Sequence, residues 1–136
     1  MARPTIYTDE LANTICSRLA GGESLRSICR DDAMPDISTV LLWVVDDRSG
    51  FSAQYLRARE AAGYAHADNV VNMADRAASG EMEPNAARSA MHGYIWAAER
   101  MAPKRHSPRQ EVDHSSSDRT MSPTRIEITS PLAEDD

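Results

Sequence analysis

Between Leu11 and Leu19 apolar side chains recur at three- and four-residue steps (Leu11, Ala12, Ile15, Cys16, Leu19), the spacing that lines one face of a helix. Thr8 is placed to cap that helix, Asp9 and Glu10 favour its positive end, and Gly21-Gly22 stops it. Ser24 then caps a shorter helix carrying Leu25, Ile28 and Cys29. Pro35 closes this region, because the residue ahead of a proline is pushed out of helical geometry. A third helix, from about Ile37 to Asp47, is capped by Asp36 or Ser38 and turns Val40, Leu41 and Val44 inward, with Trp43 closing the bundle. Three short helices with a tight corner between the last two predict a helix-turn-helix bundle over residues 1–48.

The pattern then lengthens. Phe51, Tyr55, Ala58, Ala62, Ala65, Val70, Met73 and Ala77 follow a near-heptad line, which predicts one long alanine-rich helix over 51–79. Gly63 weakens its middle without breaking it. "SGEMEP" (79–84) reads as a turn, and Pro84 suits the start of a further helix over 85–102. That helix presents Ala87, Ala90, Met91, Tyr94, Ile95, Ala98 and Met101, with Trp96 beside the seam. Two long helices with a short connection fold back as an antiparallel hairpin, a central oligomerisation element over 49–102.

After Pro103 the period changes. "PKRHSPRQ" and "HSSSDRTMSP" are loop-like, while "QEVDH" and "TRIEIT" alternate as short strands, with Ile126 and Ile128 on one side. Two such strands are not stable alone in water. Strands donated by several copies close into a barrel with no free edge, so the segment 103–136 is expected to be completed by neighbouring chains. The final "PLAEDD" is a frayed acidic end. The fold class is therefore mainly α: helix-turn-helix bundle, helical hairpin, and short C-terminal strands that complete an intersubunit barrel.

Charge sharpens the question of partners. The 136 residues carry a net charge of −6 and a pI near 5.2, which argues against non-specific coating of nucleic acid. Any DNA contact must come from a local cluster. The candidate donors are Arg3, Arg18, Arg26, Arg30 and Arg48, with Ser38 and Thr39 near a helix N-terminus. Each arginine is equally compatible with local pairing to Glu23, Asp31 or Asp32. Several weak modules on one duplex multiply through effective concentration, so contacts to phosphate and DNA shape suffice. Arg57 and Arg59 suit intersubunit ion pairs with acids such as Glu60; Tyr55, Val70, Met73 and Tyr94 complete the expected oligomer interface with Ile126 and Ile128.

Catalytic readings find little support. The phosphate loop G-x-x-x-x-G-K-[ST] is missing, so ATP hydrolysis has to come from a partner. The pairs Asp31-Asp32 and Asp46-Asp47 are adjacent in sequence and do not face one another on a helix. "DHSSSD" is too flexible a loop to hold a nucleophile in register. His66, His92, His106 and His114 lack metal-ligand spacing, so no metal and no cofactor is expected. Cys16 and Cys29 fall on apolar helix positions and read as reduced buried thiols. With no run of about 18 apolar residues and no signal-peptide core, a soluble intracellular protein with no membrane contact is expected.

The segments "GGESLRSICRDDAMPDISTVLLWV" (21–44), "FSAQYLRAREA" (51–61), "WAAERMAPKRH" (96–106) and "IEITSP" (126–131) resemble, in this order, the small subunit of tailed-phage terminases. The resemblance is carried in the turn by Ala33, Met34, Pro35, Ser38, Thr39, Val40 and Trp43. It implies a ring of about eight to ten copies in the host cytoplasm. Helix-turn-helix domains lie outside, hairpins form the wall, and strands form a barrel. Such a ring is a non-catalytic adaptor that binds double-stranded viral DNA at the packaging start region and engages the ATPase and nuclease large subunit, here through 103–136. The sequence departs from the family at Leu42, where Arg is frequent, and at Ile37, where Lys or Arg is common; Asp46 and Asp47 add negative charge. Two rivals fit residues 1–48: a dimeric helix-turn-helix transcription regulator, and a structural oligomer whose helix-turn-helix has no DNA role.

Overall fold

Each helix of the computed structural model, which describes residues 2–108, begins where a short polar side chain or a proline meets unpaired backbone N–H groups. Helix α1 (Asp9–Ala20) starts with Thr8 in extended backbone, its hydroxyl accepting from the Leu11 N–H at 3.2 Å. It stops at Gly21, and Gly22 turns the chain with φ 98°, a left-handed value that only glycine adopts without strain. The single-turn α2 (Leu25–Ile28) is capped by Ser24, and α3 (Ile37–Val45) by Asp36. Between them the Asp31 carboxylate accepts from the Ala33 N–H at 3.0 Å and fixes the corner.

The link to the hairpin is strained. Asp47 and Ser49 have φ of 48° and 51°, and Gly50 has φ 75°, around a 3-10 turn Arg48–Gly50. The Asp47 carboxylate then accepts from the Ser52 N–H at 3.1 Å, which anchors the start of α4 (Phe51–Ala78). Helix α5 (Pro84–Met101) places Pro84 in its first turn and Glu83 as its cap, accepting from the Ala86 N–H at 2.8 Å.

Residues Pro103–His106, expected as loop, form a further helical turn, α6. Pro103 is pre-set for a first helical position, and the carbonyl of Ala102 accepts from both Arg105 and His106. Ser107 donates to the Glu99 carbonyl at 3.2 Å, which holds the turn against α5. Among the described residues every element is helical; the strand segment, with Ile126 and Ile128, lies outside them.

The main core gathers Ile15, Leu19, Ile28, Val40, Trp43 and their neighbours, and it continues into α4 through Phe51 and Ala58. It therefore runs past residue 48. Tyr7, Trp43 and Phe51 meet edge to face, with centroids 5.1 to 6.0 Å apart. Both cysteines are buried and unpaired. One expectation needs correction: Leu41 does not face this core and is 44% exposed. Val40 and Trp43, three positions apart, define the inner face, Val44 flanks it, and Leu42 and Val45 point outward. From Val40 to Val45 every residue is apolar, so this stretch has no polar side to mark the outside.

Helices α4 and α5 pack antiparallel on a seam of small residues. A Cβ added at Gly63 would lie 2.8 Å from the Cβ of Ala102, so this glycine permits the close approach that the sequence alone read only as a weakness. In contrast, a Cβ at Gly93 meets nothing within 4 Å. Gly63→Ala is expected to lower stability by about 1–3 kcal/mol through overpacking, outweighing its better helix propensity. Gly93→Ala is expected to raise it by roughly 0.5–1 kcal/mol. Thermal melts of the two variants check the pair; a rise in Tm for Gly63→Ala would show that Ala102 gives way.

Candidate nucleic-acid interface

The arginines of the N-terminal bundle divide into two groups. Arg3 donates to the Cys29 carbonyl and lies 3.5 Å from an Asp32 carboxylate oxygen, so it ties the N-terminal arm to the end of α2. Arg18, at the end of α1, makes a two-pronged contact with Glu23, one prong at 2.9 Å, and reaches Asp31 at 3.5 Å. Hydrogen bonding from Arg18 holds the Glu23 carboxyl below the usual carboxylate range, and Glu23 in turn raises the Arg18 guanidinium. These two cations are engaged within the fold. Arg26 on α2, Arg30 just beyond it and Arg48 in the 3-10 turn are exposed, and no carboxylate among the described residues pairs with them.

Ser38 and Thr39 occupy the first turn of α3, where backbone N–H groups favour an anion. Ser38 is exposed and lies 3.5 Å from Asp36; Thr39 is half-buried. Further along α3 the outward positions are Leu41, Leu42 and Val45, followed by exposed Asp46 and Asp47. Bidentate recognition of a guanine edge uses Arg or Lys, and this helix carries neither. The bundle can therefore offer phosphate contacts from α2 and the 3-10 turn, without bidentate guanine reading by α3.

The residues expected at an oligomer interface scatter. Tyr55 and Arg59 line an open groove of about 390 Å³ with Leu56, Trp96, Arg100 and Met101, between the start of α4 and the end of α5. Trp96, expected beside the seam, is 58% exposed and carries the Arg100 guanidinium over its ring at 4.5 Å. Arg59 stands over the Tyr55 ring at 5.9 Å in the same manner. The signal for both pairs was an aromatic residue four positions before an arginine. Arg57 is exposed and donates to its own helix at the Ala53 carbonyl. Val70 is half-buried beside Ile95 and His106. Met73 is buried within the chain's own hairpin, and Tyr94 stacks on His66 at 5.8 Å.

Among the described residues, no three His, Cys, Asp or Glu side chains gather as a metal site, and no helix is long and apolar enough to cross a membrane. His66 is the one buried polar side chain among them, with Nδ1 unpartnered. It sits where the α1–α2 turn meets the hairpin: a Cβ at Gly22 would touch both Ala65 and His66.

The family described as "Bacteriophage Sf6, terminase small subunit-like" matches residues 7–113. The chain belongs to this family of phage genome-packaging proteins. Crystal structures of three single-substitution variants of terminase small subunit gp1 from the bacterial virus Sf6 are similar, with 28% sequence identity. The alignments cover 96% of this chain and 99% of theirs, with TM-scores of 0.69 for one and 0.70 for two. No curated protein matches the chain. The mainly helical fold and the resemblance carried by residues 21–44, 51–61 and 96–106 thus agree with the family assignment.

Burial first, and then the nearby Arg59 charge, lower the pKa of His66. Below the ordinary histidine pKa of about 6.5 the unfolded chain binds a proton that the folded chain resists, so stability falls as pH drops. His66→Gln is expected to flatten the decline in Tm between about pH 7 and pH 5. An unchanged slope would assign that decline to other groups.

Proposed function

We propose that this family member is a non-catalytic packaging adaptor that binds double-stranded viral DNA and presents it to the large terminase subunit in the host cell. It acts as a ring of about eight to ten copies, within the closed symmetries that homo-oligomers adopt. The observation that carries the DNA reading is the set of exposed guanidiniums Arg26, Arg30 and Arg48 on a helix-turn-helix scaffold, unpaired by any described carboxylate. Arg3 and Arg18 are paired with Asp32, Glu23 and Asp31 of the same bundle. Phosphate contacts of this kind place a duplex without reading its sequence, and repetition around a ring supplies the strength one module lacks. The segment 103–136 is the contact for the large subunit and the source of the intersubunit barrel, and the packaging start region is the DNA target.

The dimeric transcription regulator is the less favoured reading, since it needs sharp base recognition and α3 carries no Arg or Lys for bidentate guanine contacts. In fluorescence anisotropy with duplex DNA at low salt, the triple variant Arg26→Ala, Arg30→Ala, Arg48→Ala is expected to bind at least about tenfold more weakly, with a salt slope smaller by about 0.9 for each phosphate the protein no longer neutralises. Unchanged binding and slope would remove the DNA role from this bundle. Native mass is expected to show a closed assembly of about eight or more chains. A dimer would move the assignment to the regulator.

A further inference from the structure

The outer face of α3 combines two properties that exclude DNA as its occupant. Leu42 is 58% and Val45 80% exposed, with Leu41 beside them, and the helix runs into Asp46 and Asp47 with no Lys or Arg from Ile37 to Asp47. Apolar side chains followed by two carboxylates repel a phosphate backbone and invite an apolar surface with a cationic rim. Two copies of α3 do not satisfy each other, because Asp46 and Asp47 would meet acids again.

The hairpin groove has the complementary character. Its floor is Leu56, 63% exposed, with Trp96 and Met101, and its sides carry Arg59 and Arg100. The adjoining recess, which shares Leu56 and Met101 with the groove, is lined also by Lys104 and Glu60, so three cations stand against one acid across the two. Trp96 with the Arg100 guanidinium over its ring offers the kind of aromatic and arginine pair in which interface hot spots are enriched.

We propose that α3 of one copy docks in the α4–α5 groove of the next, Leu42 and Val45 against Leu56 and Trp96, with Asp46 and Asp47 beside Arg59 and Arg100. The helix that reads bases in other helix-turn-helix proteins is here the acidic half of a subunit interface. The contact joins different surfaces, so it is heterologous and gives a ring where the rotation between copies closes. It rests on the ring reading above and adds to it which faces meet.

Charge exchange in the full chain tests it. Asp46→Arg is expected to lose the high-mass species in native mass spectrometry, as is Arg59→Asp with Arg100→Asp. Combining the three is expected to restore it, while circular dichroism of each variant stays helical. Crosslinking supplies an independent readout, since Cys16 and Cys29 are buried. Leu42→Cys chains mixed with Leu56→Cys chains should give an oxidised dimer that neither gives alone. An intact ring indifferent to all charge variants would overturn this inference and leave the ring standing. A wild-type dimer would overturn both, and a disulfide formed by Leu42→Cys chains alone would establish an α3–α3 contact instead.

Discussion

Phe51 is the point on which both halves of the molecule lean. Its ring is fully buried between Tyr7 and Trp43 of the bundle, and its backbone begins the long helix of the hairpin. Burying such a ring contributes about 1.5–3 kcal/mol, and the edge-to-face contacts add to that. Without this anchor the first turn of α4 would lose its aromatic contacts with Tyr7 and Trp43. With it, the bundle core and the hairpin share one helix, and the groove beside Tyr55 stands at a set distance from α3.

The short connection between α3 and α4 shows what this junction costs. Two non-glycine residues, Asp47 and Ser49, hold left-handed backbone, a conformation that costs of order 1–2 kcal/mol per residue. Asp47 recovers part of that by capping α4 at Ser52. A connection bent in this way fixes the direction in which α3 presents Leu42 and Val45. About four turns further along α4, Gly22 lies against Ala65 and His66, so the bundle touches the long helix at two separated places.

Charge is partitioned along the chain in a way that net composition hides. An acidic protein places its exposed cations Arg26, Arg30 and Arg48 around α2 and the 3-10 turn, and a second set at Arg59, Arg100 and Lys104 beside a groove. Asp46 and Asp47, just past α3, lie between Arg30 and Arg48 in sequence. Such separation suits a module that meets phosphate on one surface and a neighbouring copy on another, since each surface is complementary to one kind of partner.

Much of the local structure was legible in the residues. Thr8, Ser24 and Asp36 start helices because their oxygens reach backbone N–H groups one to three positions away, and Gly21-Gly22 and Pro84 mark ends and beginnings by their own backbone preferences. These are short-range effects, decided within a turn of chain. The order of helices, the hairpin and the family pattern follow from them. Tertiary structure alone decided which arginines are spent: Arg3 and Asp32 are 29 positions apart, and their pairing depends on how the arm folds back. It decided that Leu41 and Trp96 face outward, because apolar residues on both sides of a helix carry no mark of the side that will find a neighbour. It also turned Gly63 from a weakness into a requirement, since the need for a missing Cβ arises only when Ala102 arrives against it.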